Sequence, residues 1–138
     1  MKVMVDTSVW SLVLRRVSQP DEDLAQELRG LVSDHLVQMI GPIRQELLSG
    51  IRDESQFERL ARYLESFPDF PIVAAVYVSA ARLFNTCRNR GIQGSNTDFL
   101  IAAVAVREGF SIFTTDRDFL LFAQHLPIVL HKTELMGG

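Results

Sequence analysis

The stretch Ser95–Asp118, SNTDFLIAAVAVREGFSIFTTDRD, decides how this chain is read. Phe99 to Val106 is an unbroken apolar run of helical length, which predicts a helix buried on most sides. Glu108-Gly109 supplies its stop, because glycine takes the left-handed conformation without strain. Phe110 to Phe113 then reads as a short core strand, closed by the turn Thr114-Thr115-Asp116-Arg117-Asp118. Asp98 stands at the start of the helix and Asp116 just past the end of the strand. A helix running antiparallel to that strand brings both carboxylates to one edge of a sheet.

Outward from this unit, helices and strands alternate. Lys2 to Val5 reads as a strand ended by Asp6-Thr7-Ser8, any of which suits the cap of a helix from Val9 to about Arg16. Val9, Leu12 and Val13 mark that helix's inner face. Asp21 to about Ser33 is a second helix, with Leu24, Leu28, Leu31 and Val32 at helical spacing. Leu36 to Ile40 is a second strand, and Gly41-Pro42 opens a helix that turns Ile43, Leu47 and Leu48 inward and carries Glu46. An amphipathic helix follows over Glu54–Glu65, with a stripe of Phe57, Leu60, Ala61 and Leu64. A proline-bearing connector over Phe67–Ile72 has room for a short edge strand. Then come a long helix from Val73 to about Arg90 and a loop over Gly91–Ser95. Past the central unit, Phe119 to Gln124 reads as helix and Ile128 to Leu130 as a last strand.

This alternation predicts an α/β fold with a parallel sheet. Right-handed crossovers place the carboxyl ends of all its strands on one edge, where open α/β sheets bind ligands. Asp6, Glu46, Asp98 and Asp116 come from four separate segments and are all expected there. Singly, each also has a plain structural reading: Asp6 and Asp116 as helix caps, Glu46 as a solvated helix residue, Asp98 as a favourable charge at a helix start.

Bulk properties narrow the classes. With 138 residues, 47% hydrophobic and 22% charged, the chain is sized and composed as a single globular domain over residues 1–138. Its apolar runs fall far short of the roughly 18 residues of a membrane span. No basic-then-apolar leader opens it, and the lone Cys87 fits a reducing compartment, so a cytoplasmic protein without disulfides is expected. One cysteine and three scattered histidines argue against zinc. The net charge of −3 is not that of a basic nucleic-acid binder, yet it counts acids that a bound cation would neutralise. All positive side chains but Lys2 and Lys132 are arginines, suited to bidentate phosphate contact.

Carboxylates crowded at one edge repel, raising each other's pKa, unless a positive charge joins them. Oxygen-only ligands select Mg²⁺ or Mn²⁺ over softer metals. Such ions lower the pKa of a bound water and offset charge on a phosphodiester in the transition state, so metal-dependent phosphodiester hydrolysis is the chemistry this set suits. Ser8 and Thr114 are candidates to hydrogen-bond the ligands. Arg117, between two acids, is the leading candidate for phosphate contact, ahead of Arg15, Arg16, Arg88 and Arg90. Trp10 reads as core or interface rather than a base-stacking platform, and Asp118 as a surface residue.

Four segments together, VMVDTSVW (3–10), PIRQELLSG (42–50), NTDFLIAAVAV (96–106) and FTTDRDF (113–119), resemble the PIN-domain nucleases, specifically VapC-type toxins of bacterial toxin–antitoxin pairs. The resemblance spans the chain in order. It implies an α/β/α sandwich with a central parallel sheet, a Mg²⁺- or Mn²⁺-dependent endoribonuclease acting on RNA, a homodimer, and a cognate antitoxin. By motif, Asp6, Glu46, Asp98 and Asp116 match the family's acidic quartet and Thr114 its accompanying hydroxyl. Two rivals stand against it. A phosphoryl-aspartate protein, either a dehalogenase-type phosphatase or a receiver, also places an aspartate after a strand. The phosphatases need a second aspartate where Ser8 stands, and a receiver would lack its acidic pair and leave Glu46 without a role. The other rival is a catalytically silent member of the same fold that binds RNA or a partner. Its mark is a missing acid, and all four are present.

Overall fold

The computed structural model describes residues 1–14 and 22–132. The expected ends of the first helix (Arg15, Arg16) and of the chain lie outside them. Among the described residues the sheet has four parallel strands in the order β2-β1-β3-β4: β1 (Val3–Val5), β2 (Val37–Gln38), β3 (Ser111–Phe113) and β4 (Val129–Leu130). Around it pack α1 (Thr7–Leu14), α2 (Glu22–Ser33), α3 (Gly41–Leu48), α4 (Glu54–Leu64), α5 (Ala74–Arg88), α6 (Asn96–Glu108) and α7 (Asp118–Phe122). The expected α/β architecture is thus the observed one.

The two central strands are buried at every residue, which is why VMV and, apart from Ser111, SIF are apolar on both faces rather than alternating. From β1 the chain passes to β2 on one side, then returns across β1 to place β3 on the other. This reversal opens a crevice at the carboxyl ends of β1 and β3, the point where α/β sheets hold ligands. Val5 pairs with Phe113, so the next residues, Asp6 and Thr114, leave the sheet side by side.

Helix α6 is the core helix, with every residue from Phe99 to Ala105 buried and Gly109 ending it at φ 74° in the left-handed region. Val106, expected inside, is exposed. The helix packs along α5, whose Val76, Ala80 and Cys87 face inward. In α1 the inner face is set by Val9 and Trp10, and Leu12 is 40% exposed. Two apolar stripes competed there, and the larger indole wins by meeting Phe67 edge-on at 5.3 Å. Helix α1 begins at Thr7 rather than Val9, and Pro42 occupies the second rather than the first position of α3. The stripe of α4 is a peripheral one, since only Leu64 of its four residues is fully buried.

The 67–72 connector also shapes the fold. Met39 forms a parallel bridge with Asp69, and Asp69 grips Arg44 of α3 through Nε and Nη2 at 3.0 and 2.9 Å. The same guanidinium donates to the carbonyls of Leu64 and Phe67. Arg44 thereby ties the helix that carries Glu46 to the end of α4 and to the sheet edge.

Phe122 of α7 and Phe99 of α6 pack ring on ring at 4.8 Å, and the loop before α6 runs directly over them. A Cβ on Gly94 would lie 2.5 Å from Phe122 Cζ and 3.0 Å from Phe99 Cε2. Gly94→Ala should therefore cost about 1–3 kcal/mol of stability as the rings are displaced. Chemical denaturation measures this, and an unchanged midpoint would show that the loop has room to move.

Candidate active site

Two strand ends, the start of α6 and the second half of α3 build the site. Asp6 follows β1 directly and is 5% exposed, and its backbone N–H donates to the Phe113 carbonyl at 2.8 Å. A buried carboxylate needs donors, because an unpaired polar group out of water costs about 1–3 kcal/mol and a charge more. Oδ2 of Asp6 receives two, the hydroxyls of Ser8 and Thr114, each at 2.8 Å. Each hydroxyl has one hydrogen, so with both given to Asp6 the 3.2 Å approach between Ser8 and Thr114 is contact without a proton of its own. Their lone pairs then accept backbone N–H groups, Thr115 to Ser8 and Asp116 to Thr114, both at 3.0 Å. The loop after β3 is thus fastened to the residue after β1.

Asp116 emerges from this loop, and its Oδ1 accepts the Asp118 backbone N–H at 2.9 Å, where α7 starts. The cap position of α7 is Arg117 rather than Asp116, whose carboxylate closes a turn one residue earlier and so has one oxygen occupied. Asp98 behaves likewise. It forms a reciprocal capping box with Ser95, whose N–H donates to Asp98 Oδ2 at 3.0 Å while Asp98 N–H donates to Ser95 Oγ at 3.1 Å. Burial pushes the Asp98 carboxyl above its ordinary pKa. Hydrogen bonds from Ser95 oppose the rise, and the charges of Asp6 and Asp116 add to it. That electrostatic coupling places three of the four expected acids in one field. Glu46, exposed on α3, is joined to them through Thr7, whose hydroxyl donates to Glu46 Oε1 at 2.8 Å. Thr7 appeared in the sequence only as a possible helix cap. The spacing that links it to Glu46 is tertiary, and no local signal carries it.

The four acids share one feature. In each, one carboxylate oxygen is held by a hydrogen bond, while the other has no hydrogen-bond partner among the described residues. None of the four forms a salt bridge among those residues. Among the described residues this negative charge is fixed in direction and meets no paired cation. This donor set, all oxygen and with open lone pairs, fits a hard divalent cation. The acids are spread rather than caged: among the described residues no three His, Cys, Asp or Glu side chains draw together tightly enough to enclose an ion. An open arrangement suits Mg²⁺, which keeps several waters and takes only one or two carboxylates directly. A cleft of about 490 Å³ adjoins the acids, lined by Thr7, Pro42, Gln45, Glu46, Ser49 and Thr97. Arg117 is exposed and forms no ion pair among the described residues.

Asp98 separates the electrostatic from the structural role of these acids. Asparagine keeps an acceptor for Ser95 N–H and removes the disfavoured charge, so Asp98→Asn should match or exceed the parent's melting temperature in metal-free buffer at neutral pH. Alanine loses only the bond returned to the Ser95 N–H, while the Ser95 cap remains, and should cost about 0.5–1.5 kcal/mol. The sign follows from the raised pKa. The folded state holds its proton to higher pH than the unfolded chain, so the charge costs stability as pH rises out of the carboxylate range. The gap between parent and Asp98→Asn should widen in that direction. Equal losses in both variants would show that the negative charge itself stabilises the helix start, and would contradict the repulsion.

The PIN domain model matches residues 3–124. Ribonuclease VapC11 of Mycobacterium tuberculosis is 33% identical over 132 residues, covering 88% of this chain and 92% of the relative. VapC ribonuclease Mb1587 of Mycobacterium bovis gives the same figures. Among solved structures, FitAcB from Neisseria gonorrhoeae superposes with a TM-score of 0.74 at 21% identity, over 94% of this chain and 96% of that one. VapBC2 from Rickettsia felis, bound to a DNA fragment from its promoter, gives 0.74 at 16% identity, over 97% and 100%. At these identities the structures speak for the fold alone, and among the described residues no helix is long and apolar enough to cross a membrane. With the domain match spanning most of the chain and curated relatives a third identical along nearly all of it, the protein belongs to the PIN-domain family and is of the VapC type.

Proposed function

We propose that this chain is a Mg²⁺- or Mn²⁺-dependent endoribonuclease, the toxin of a VapBC-type pair. The observation that carries the reading is the set of four carboxylates, each with one oxygen held and one open, of which Asp98 feels the charges of Asp6 and Asp116 and Glu46 is tied to Thr7 beside Asp6. Asp6, Glu46, Asp98 and Asp116 would hold the ion or ions. When bound, the metal supplies a more acidic water and offsets the charge that develops on the phosphodiester. The relatives' names, VapC ribonucleases, support RNA as the substrate.

The chain's own residues set the geometry. Ser8 and Thr114 hold Asp6 in one orientation, Ser95 holds Asp98, and Thr7 holds Glu46. Preorganised ligands of this kind need no rearrangement when the reacting group arrives, which is how a fixed site accelerates a reaction. Arg117 follows Asp116 directly, and its exposed guanidinium is free to clamp a phosphate of the strand. Phosphate contact positions the RNA without reading its sequence.

The named neighbours, VapBC2 and FitAcB, support a partner antitoxin. The family's homodimer is part of the same reading, as is a cytoplasmic location. The silent-module alternative finds no support in the site, where all four acids are present and oriented.

Incubation of the purified, antitoxin-free protein with total bacterial RNA tests the proposal. Discrete fragments are expected with Mg²⁺ or Mn²⁺, none with EDTA, and none from Asp6→Asn or Asp98→Asn at matched fold. Metal-independent cleavage, or full activity in both variants, would overturn the assignment of the acids. Arg117→Ala should weaken RNA binding several-fold, uniformly across sequences, and reduce the salt dependence by about one counterion. A change confined to particular sequences would contradict its role as a phosphate contact.

A further inference from the structure

The cleft beside the acids differs in chemistry from the acids themselves. Of its six lining residues only Glu46 is charged, and that charge is negative, so the cleft by itself repels phosphate. Its remaining polar groups are neutral, an amide and three hydroxyls, with Pro42 as an apolar wall. A volume of about 490 Å³ lies within the usual range for small-molecule sites and is ample for one nucleobase with its sugar.

The hydrogen bonds show which groups are available to a ligand. The Thr7 hydroxyl gives its hydrogen to Glu46, and the Ser49 hydroxyl gives its own to the Gln45 carbonyl at 2.7 Å. Both retain only acceptor capacity. The side-chain amide of Gln45 has no hydrogen-bond partner among the described residues and is exposed. It sits one residue before Glu46, on a helix clamped by Arg44, so its anchor is rigid and adjacent to the metal-binding edge. An amide presents an acceptor and a donor side by side, the complement of adenine's N6 donor and N7 acceptor. Base edges of this kind are accessible in single-stranded RNA.

We propose that the cleft seats an unpaired nucleobase flanking the scissile phosphate and that Gln45 reads its edge, with adenine preferred. This rests on the ribonuclease reading above. The phosphate would lie over the acids and against Arg117, and the flanking base would enter between α3 and the start of α6. Sequence preference then originates at Gln45, and backbone grip at Arg117.

The test maps every cut made in a randomised single-stranded RNA pool by the parent, Gln45→Ala and Gln45→Glu, with Mg²⁺. Both substitutions are at an exposed helix position and should leave the melting temperature unchanged. The parent should favour adenine at one position beside the cut. In Gln45→Ala that preference should fall roughly tenfold or more, with other positions unaffected. Gln45→Glu, which offers only acceptors, should move it toward guanine, whose N1–H and N2–H₂ are adjacent donors on an unpaired base. Identical base frequencies in the parent and Gln45→Ala would overturn the inference while leaving the nuclease intact. If the parent cuts nothing, the ribonuclease reading fails first, and fluorescence anisotropy in EDTA with oligoadenylate and oligouridylate still decides the cleft. A parent preference for oligoadenylate that Gln45→Ala abolishes supports it, and equal binding by both proteins overturns it.

Discussion

One oxygen of Asp6 organises the active edge. A carboxylate only 5% exposed has to be met by donors, and the chain supplies two hydroxyls, one from the start of α1 and one from the end of β3. Once those hydrogens point at Asp6, the lone pairs of Ser8 and Thr114 fix the N–H groups of Thr115 and Asp116. A single buried charge therefore dictates the path of the loop after β3, the direction of Asp116 and the start of α7. Thr114, fully buried, makes three contacts through one oxygen, and valine in its place would leave the Asp116 N–H and part of the Asp6 charge unmet.

The same economy recurs at the other acids, each held through one oxygen by a neighbouring hydroxyl or backbone N–H. The arrangement is costly to the isolated protein. Asp98 feels both burial and its acidic neighbours, and no cation among the described residues pairs with any of the four. Structural ion pairs would have been the ordinary way to relieve such repulsion. The repulsion that Asp98 meets near the switch point of a parallel sheet is what supports reading these acids as a functional site rather than a stabilising network.

Much of this could be read along the chain. The apolar run of α6, the Gly109 stop and the alternation of helix and strand gave the sheet, and the acids' positions after strands, at a helix start and on the helix after β2 gave the edge. The losses came where two local answers were equally good. In α1, Leu12 and Trp10 offered rival faces, and only Phe67, more than fifty residues on, decided between them. Thr7 looked like a cap because its partner Glu46 is close only in three dimensions. Arg44 and Asp69 gave no signal along the chain, because the clasp they form needs the ends of α4 and β2 already in place. Gln45 gave no signal, being a polar residue on an exposed helix face until the cleft beside it is seen.

The most direct test of the account is whether the acidic edge takes up a divalent ion. Mn²⁺ binding to the full-length protein can be followed by electron paramagnetic resonance, with Mg²⁺ as competitor and thermal denaturation alongside. The account requires saturable binding that Mg²⁺ displaces. It also requires a melting temperature that rises with ion concentration, as mass action demands of a ligand specific to the native state. Both should be lost in Asp6→Asn and sharply weakened in Asp98→Asn. A folded parent protein that binds no Mn²⁺, or binds it equally after both substitutions, would contradict it.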